Sequence, residues 1–278
     1  MDESGLTSGA KSSEAASARP PERLRGSRAG QWEIVLGRIA VAAGVLIVWQ
    51  VLATRRLIDP FFVSRPSAIA GRVWEWMASG FIWRHLAVTL EEAVLAFVIG
   101  TVLGIGAGFV LARGRRASLI FNPYLRVLNA LPRVVLAPLF LLWFGLGIWS
   151  KVALGVTLVF FVVFFNTYQG VRDVDRVLVD NARVLGASEA ALIRHVFGPS
   201  ALTWIFSSLQ TSIGFAIVGA VVGEYLGASR GIGYVISQAE GTFDTTGVFA
   251  GLAVLSVCVV IVGEAVARLE RRLLAWKR

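Results

Sequence analysis

The residues Asp180–Pro199 read Asp-Asn-Ala-Arg-Val-Leu-Gly-Ala-Ser-Glu-Ala-Ala-Leu-Ile-Arg-His-Val-Phe-Gly-Pro, and they lie between two long apolar runs. So many polar groups do not help the flanking runs to enter a bilayer, because moving polar groups into hydrocarbon costs free energy. A segment of this kind inside an apolar chain therefore indicates a surface that contacts something outside the membrane.

Local signals around Gly186 predict two short helices joined by a corner. Asp173 or Asp175 can cap the start of the first helix, and Gly186 can supply a left-handed residue at its end. Ser188 can then cap the second helix, and Gly198-Pro199 is expected to stop it. Because these signals agree, we expect a rigid element and not a mobile loop.

The composition predicts a polytopic all-α membrane protein. Of the 278 residues, 56% are hydrophobic and 16% are charged, and the mean hydropathy is +0.69. The net charge of +9 does not indicate nucleic-acid binding, because the basic residues flank apolar runs and do not cover one polar face. One cysteine and two widely separated histidines give no ligand pattern, so no metal site is expected.

Six apolar runs have about the 20 residues that a helix needs to cross a bilayer. Residues 1–31 are rich in Ser, Ala, Gly, Pro and charge, so they are predicted to be a disordered tail that precedes a membrane domain, residues 32–278. Pro132 and Pro138 are expected to kink or break the third run. The predicted spans cover residues 34–53, 94–111, 127–149, 152–168, 201–222 and 245–263.

Lysine and arginine residues predict the orientation of the spans. Most of them lie at the termini, between the second and third spans, and in residues 173–199. Cytoplasmic loops of multi-pass proteins carry the excess of Lys and Arg, so both termini are predicted to be cytoplasmic. Loop 54–86 also holds several arginines, but loops of that length are translocated despite some positive charge.

Glycines recur every fourth residue in two predicted spans, and so they share one helix face in each. Small residues at this spacing let helix backbones approach closely. The contact would lie either within one chain or between two chains, and the first alternative is favoured. The glycines concerned are Gly100, Gly104, Gly108, Gly219 and Gly223.

Few acidic residues fall near the predicted spans, and they are expected at the interfaces, because a charge at mid-bilayer costs roughly 2.5–3.5 kcal/mol. Glu91 and Glu92 precede the second span, and Glu224 lies at the outer end of the fifth. No pair of intramembrane carboxylates or histidines is predicted, which argues against a proton-driven carrier.

Several stretches of the chain resemble one family. The spacing of Asp180-Asn181-Ala182, Gly186 and Pro199 is similar to the EAA loop of the inner-membrane permease subunits of binding-protein-dependent ABC importers. Residues 131–139 and the run Gly227–Tyr234 resemble the nitrate/sulfonate/taurine branch of that family. The loop departs from the family pattern at three positions. Asp180 replaces the usual Glu, Asn181 replaces the first Ala, and Gly198 stands where an apolar residue commonly precedes the proline.

This resemblance implies the type I importer architecture, in which residues 173–199 form a cytoplasmic coupling segment moved by a separate ATPase subunit. It implies a transport subunit without catalytic residues or cofactors of its own, with ATP and Mg bound by the partner ATPase. The other expected partners, in a bacterial inner membrane, are an external solute-binding protein, a second permease copy forming a homodimer, and lipid. The implied coupling residues are Asp180, Asn181, Ala182, Gly186, Ala187, Ser188, Glu189, Arg194 and Pro199.

The resemblance also implies a small organic or inorganic anion as the solute, such as a sulfonate, taurine or nitrate, although relatives in this branch carry pyrimidine-type precursors. Arg133 either faces the pathway, where it would attract an anion, or extends to the cytoplasmic interface. An ion-coupled secondary carrier is an alternative, yet the two halves of the chain show no self-similarity. A membrane enzyme or scaffold is another, but the loops contain no nucleophile-base pattern or phosphate loop.

Overall fold

The computed structural model describes residues 28–273, and the regular secondary structure in this range is helical. The chain forms two compact units, one up to Trp49 and one from Gln50 onward. A 3₁₀ turn spans Arg133–Leu136 and a π-helical turn spans Ile193–Phe197. The α-helices are α1 (Arg28–Thr54), α2 (Pro60–Val63), α3 (Pro66–Ala78), α4 (Phe81–Arg113), α5 (Arg115–Ala130), α6 (Ala137–Phe144), α7 (Ile148–Arg172), α8 (Arg176–Val184), α9 (Glu189–Leu192), α10 (Gly198–Leu226), α11 (Ile232–Gly241) and α12 (Thr245–Leu273).

The described part of the first unit is the portion of helix α1 up to Trp49. The residues of α1 from Trp32 to Thr54 have the length and hydropathy of a membrane span. The helix begins at Arg28, ahead of the predicted domain boundary at residue 32. The rest of the predicted disordered tail, residues 1–27, lies outside the described residues.

Helix α7 lies between α4 and α10 at the centre of the second unit. Glycines of α4 face the α7 backbone, and a Cβ on Gly104 would come within 2.9 Å of the Phe160 carbonyl oxygen. A Cβ on Gly108 would lie 2.7 Å from the Phe164 carbonyl oxygen, and Gly100 is equally confined. The two helix backbones therefore approach more closely than they could if these positions carried side chains.

The opposite face of α7 contacts α10 in the same way. Gly219 lies directly on the backbone of Gly155, so any side chain at position 219 would overlap that backbone. A Cβ on Gly223 would lie 2.8 Å from the Cγ atom of Lys151. The glycines that share a face in α4 and α10 thus contact α7 of their own chain.

Apolar side chains fill the space around these backbone contacts. Val159 and Val163 of α7 pack with Ile213 and Ala216 of α10. Helices α11 and α12 cover the first turns of α4 through a second cluster, which contains Ile82, Ile232, Ile236 and Leu255. This packing places the start of α11 against the same end of α4 and α10.

The third predicted span, residues 127–149, is not one helix. Helix α5 ends at Ala130, and the next helical piece is bent from it by 84°. Leu131 has a ψ of 134°, because the residue before a proline avoids the helical region, and Pro132 has no N–H to continue the hydrogen-bond ladder. Pro138 breaks nothing, since it lies in the first turn of α6, where the missing N–H is no loss.

Five helices in the described range are long and apolar enough to cross a membrane, or six if the broken pair counts as one span. Several extend beyond the predicted limits: α4 begins at Phe81, where residue 94 was expected, and α7 begins at Ile148, where residue 152 was expected. Polar residues near these helix starts led to the later predicted span limits. Several of these residues are buried within the protein, so they do not mark the ends of the helices.

Candidate functional site

The predicted coupling segment, residues 173–199, contains α8 and α9. Asp175 caps α8, because its Oδ1 accepts a hydrogen bond of 2.8 Å from the Val177 N–H. Asp173, the other candidate cap, instead ends α7. The structure thus decides between the two alternatives that the sequence left open.

The corner between α8 and α9 has the backbone and cap that its residues require. Gly186 has a φ of +85°, in the left-handed region that favours glycine. The Ser188 hydroxyl accepts the Ala191 N–H at 3.2 Å and so caps the second helix. Two short helices are therefore joined with little freedom between them.

The prediction that Gly198-Pro199 stops the second helix is wrong. The turn Ile193–Phe197 is π-helical, and the Gly198 N–H donates to the Ile193 carbonyl oxygen five residues back. This shift in the hydrogen-bond register leaves Pro199 in the first turn of α10, where a proline needs no donor. The coupling segment therefore continues without interruption into α10.

Glu189 joins the coupling segment to the rest of the unit. Its carboxylate accepts hydrogen bonds from Arg113 at the end of α4 and, at 3.2 Å, from Arg183 of α8. The Arg113 guanidinium also lies 5.6 Å from the centre of the Phe197 ring. These contacts hold the segment against the end of α4.

The outward side of the coupling segment is apolar at its corner. Val184 and Leu185 are 86% and 87% exposed, and Val177 and Leu178 are exposed on the preceding turns. A cluster of large apolar side chains on a rigid polar segment marks an interaction surface. Of the predicted coupling residues, Ala182 and Ala187 are half-buried, and the exposed ones are Asp180, Asn181, Gly186, Ser188, Glu189, Arg194 and Pro199.

Arg133 lies in the break of the third span. Its guanidinium is 4.6 Å from the centre of the Phe161 ring on α7. It also donates to the Asn129 carbonyl oxygen at 3.0 Å and to the Asn129 side chain. The side chain is thus fixed beside α7, and its exposure to a solute pathway stays a prediction.

A buried polar cluster occupies the ends of α4, α7 and α10 that lie far from the coupling segment. Glu92 is 3% exposed, and Glu224 and Lys151 are each 1% exposed. The carboxyl groups of Glu92 and Glu224 interact with each other, and Lys151 interacts electrostatically with both. The contact between these two carboxyl groups was not predicted from the sequence, which placed Glu92 and Glu224 separately at the ends of their spans.

The sequence contained a signal for this cluster, because two of its charged residues are spaced in steps of four from the packing glycines. Glu92 lies two steps of four residues before Gly100, and Lys151 lies four residues before Gly155. Residues four apart share a helix face, so both charges belong to the faces on which the helices meet. A charge on such a face is buried against a neighbouring helix. A count of apolar residues alone does not reveal this burial.

The cluster also holds the start of α11. Three consecutive backbone N–H groups, which no helical turn can satisfy, each donate to a side chain from α4 or α10. The Thr89 hydroxyl accepts one of them and donates to the Glu224 Oε1 at 2.7 Å. The three bonds run from Gly231 to His85 Nδ1 (3.1 Å), from Ile232 to Thr89 (2.9 Å) and from Gly233 to Glu224 Oε2 (2.7 Å).

Lys151 has neighbours of its own in the cluster. Its Nζ donates to the carbonyl oxygens of Leu146 at 2.6 Å and Gly147 at 3.1 Å, in the turn that precedes α7. The ammonium group is therefore bonded to backbone and faces two carboxyl groups, as a buried charge requires. The cluster links α4, α7, α10 and α11 at one end of the unit.

A comparison with protein families gives a match over more than half of the chain. Residues 100–275 match the family described as "Binding-protein-dependent transport system inner membrane component". The matched range contains the coupling segment, the buried Lys151 and Glu224, and all of the packing glycines.

Curated relatives are similar over most of their length. The riboflavin transport system permease protein RibX of Chloroflexus aurantiacus is 33% identical over 93% of this chain and 96% of its own. The putative aliphatic sulfonates transport permease protein SsuC of Bacillus subtilis is 34% identical over 86% and 87%. The formylaminopyrimidine transport permease protein ThiX of Halalkalibacterium halodurans is 32% identical over 84% and 93%.

Solved structures share the fold. An amino acid ABC transporter, crystallised with histidines, aligns with a TM-score of 0.56 at 20% identity over 68% of this chain and 92% of that one. The inward-facing MetNI methionine ABC transporter aligns with a TM-score of 0.56 at 17% identity over 72% and 97%. The family match and the curated relatives together show that the chain belongs to the inner membrane components of binding-protein-dependent transport systems, as the permease subunit of an ABC importer.

Proposed function

We propose that two copies of this chain form the pathway of an ATP-driven importer in a bacterial inner membrane. The coupling segment docks on a cytoplasmic ATPase subunit, which binds ATP and Mg, while this chain holds no cofactor. An external solute-binding protein delivers the solute to the opposite face. Both termini lie in the cytoplasm, because α4 and α10 must present the coupling segment to the compartment that contains ATP.

The observation that carries this proposal is the exposed apolar corner at Leu185. The corner is capped at both helices, bonded to α4 through Glu189 and continuous with α10. A rigid surface transmits a displacement to the spans, whereas a mobile loop would absorb it. Docking of the ATPase on this corner therefore moves α4 and α10 together.

A single coupling segment in each chain supports a homodimer. An importer with two ATPase subunits needs two docking surfaces, and two identical permease chains supply them by two-fold symmetry. Helices α5 and α6 are suited to the contact or to lipid, because many of their large side chains are exposed. The exposed residues include Ile120, Phe121, Tyr124, Leu128, Leu142 and Trp143.

The solute we favour is a small anion such as a sulfonate, taurine or nitrate. Two relatives support this choice: the Bacillus subtilis protein named for aliphatic sulfonates, and the Escherichia coli taurine transport system permease protein, which is 29% identical over 90% of this chain. Arg133, held at the break of the third span, would offer a positive charge to such a solute. A pyrimidine-type precursor is the second candidate, since the formylaminopyrimidine relative is 32% identical.

The docking proposal is tested by replacing Leu185 with Asn and measuring how much ATPase subunit co-purifies with the tagged permease. We expect at least a fivefold loss, because a central apolar contact is replaced by a polar one. Phe243→Asn is the control, since Phe243 is also exposed, lies at the far end of the unit and has a φ of +58° that Asn tolerates. Equal co-purification in both variants would remove the corner from the interface.

The solute is tested by uptake into proteoliposomes that contain the permease, its ATPase and its binding protein. Taurine, an alkanesulfonate, nitrate and formylaminopyrimidine are supplied one at a time with ATP inside or outside the vesicle. The anion proposal predicts ATP-dependent accumulation of one of the first three. Accumulation of formylaminopyrimidine alone would assign the second candidate.

A further inference from the structure

A large cavity opens beside the start of α4. It has a volume of about 1140 Å³, and its walls come from the turn before α4 and from the connection between α10 and α11. The residues that face it include Ser79, Arg84, His85, Ser229, Arg230 and Tyr234. This cavity lies at the end of the unit that carries the buried polar cluster.

The cavity is rich in hydrogen-bond donors and positive charge. Arg84 and Arg230 both line it, and neither forms an ion pair with an acidic residue of the described chain. His85 accepts the Gly231 N–H through Nδ1, so the hydrogen of its neutral ring is on Nε2, which makes the ring a further donor. No Asp or Glu is among the described lining residues, and the cavity therefore suits an oxyanion.

The walls of the cavity are fixed before any partner arrives. His85 packs between two rings, 4.6 Å from Phe81 and 6.0 Å from Tyr234 by their centres. The backbone of the Arg230 connection is held by the bonds from Gly231 and Ile232 to α4. A preformed site loses little entropy when it is occupied, which favours binding.

The position of the cavity identifies the side of the membrane that it faces. Along α4, His85 lies 28 residues before Arg113, which contacts the coupling segment, and this is about 42 Å of helix. The hydrocarbon core of a bilayer is about 30 Å thick. A cavity at one end and the coupling segment at the other therefore lie on opposite faces of the membrane.

We propose that this cavity receives an Asp or Glu side chain of the solute-binding protein, an inference that rests on the proposed function. The cavity volume of about 1140 Å³ exceeds the roughly 300–1,000 Å³ of small-molecule sites, so a sulfonate or carboxylate alone would not fill it. A loop of a docking protein fills such a space and brings its carboxylate between the two guanidinium groups. The charge of the cavity thus selects and orients the partner that delivers the solute.

The test is binding of fluorescently labelled solute-binding protein to the complete permease and ATPase complex in lipid nanodiscs. Arg84→Glu and Arg230→Glu are each expected to raise the Kd about tenfold or more, and to weaken its dependence on salt. The control is Arg55→Glu, an exposed arginine outside the cavity, for which a change under twofold is expected. Circular dichroism of each variant verifies that the helices are intact.

A reciprocal change sharpens the test. An acidic residue of the binding protein, once changed to Lys, should restore binding to Arg84→Glu or Arg230→Glu and weaken binding to the unchanged permease. An unaltered Kd in both cavity variants overturns the inference and leaves the proposed function standing. Absence of any binding to the unchanged complex counts against the proposed function itself. Loss of radiolabelled taurine binding with an unaltered Kd for the binding protein would assign the cavity to free anions and overturn the inference.

Discussion

The Thr89 hydroxyl serves two partners at once, since it accepts the Ile232 N–H and donates to Glu224. Both partners are buried, so neither can turn to water if the hydroxyl is removed. The cost of such a loss is set by the groups left without a hydrogen bond, and not by the strength of the bond itself. Thr89 is therefore the residue of the cluster whose removal is most informative.

Thr89→Val is expected to lower the free energy of unfolding by about 2–4 kcal/mol, because it leaves a buried N–H and a carboxyl oxygen unpaired. Unfolding by SDS titration of the purified protein in mixed micelles measures the change. Thr101→Val on the same helix is the matched control. The Thr101 hydroxyl is buried with no partner among the described residues, so its loss is expected to be neutral or stabilising.

Glycine contacts between helix backbones provide a second prediction at the scale of single residues. Gly219→Ala should destabilise the protein by about 1–3 kcal/mol, because the new methyl group overlaps the Gly155 backbone and both belong to rigid helices. Gly214→Ala on the same helix meets no atom within 4 Å and should be neutral or slightly stabilising. Thermal unfolding in detergent compares the two. A Gly219→Ala protein as stable as Gly214→Ala would mean that α7 and α10 are further apart than described.

Residues that act on their neighbours in sequence could be predicted, and residues that act across the fold could not. Gly186 and Ser188 shape a corner with atoms a few positions away, so the pattern of the segment was sufficient. Thr89 and Glu224 are 135 positions apart, and no local pattern reports that they meet. Their contact follows only from the packing of α4 against α10.

At the scale of helices, the coupling segment is an extension of α10 and not a separate hairpin. The sequence signals for its first helix and its corner were correct, but Gly198-Pro199 was interpreted as a stop. A proline ends a helix when it interrupts the hydrogen-bond ladder, and the π-helical turn before Pro199 removes that conflict. A shift in register of this kind leaves no mark in the composition.

Gly186→Val tests whether the angle between α8 and α9 matters for coupling. A β-branched residue at a φ of +85° is strained by about 1–2 kcal/mol, so the corner should open and ATP-driven uptake should fall at least tenfold. Gly186→Asn keeps the left-handed conformation accessible and is expected to retain most of the uptake. An added Cβ at this position meets no atom within 4 Å, so the strain would come from the backbone and not from a clash. Equal uptake in both variants would show that the corner need not be rigid.

The third span shows the limit of a hydropathy argument. Its apolar residues predict a membrane location, and Pro132 predicts a break in the helix. The size of the bend, 84°, depends on how α6 packs against α7, which hydropathy does not predict. Broken helices with irregular backbone are stable within a membrane only where protein or a water-filled cavity surrounds them. The break is thus expected at the interior of the assembled importer.

At the scale of the whole molecule, the two proposed interaction surfaces lie at opposite ends of the same helices. The coupling segment contacts the end of α4 at Arg113, and the donor-rich cavity includes the start of α4 at Arg84. The orientation proposed for the chain places the first surface in the cytoplasm and the second outside the cell. This arrangement makes a direct measurement of orientation possible.

Single cysteines at Ser229 and Ala190 should report that orientation in intact cells. Both residues are exposed, and the natural Cys258 is buried in α12. A membrane-impermeant maleimide should label Ser229→Cys from outside, and it should label Ala190→Cys only after the membrane is made permeable. The reverse pattern would place the coupling segment outside the cell and would contradict both proposals.

Helix α4 contains no proline between Phe81 and Arg113, and its close glycine contacts with α7 run from Gly100 to Gly108, with Gly104 at their midpoint. From that contact the helix reaches about 14 Å to Arg113 and about 28 Å to His85. A rod pivoting on such a fulcrum moves its long arm about twice as far as its short one. A displacement of the Arg113 end of α4, caused by ATP hydrolysis on the partner subunit, would thus become a displacement about twice as large at the His85 end.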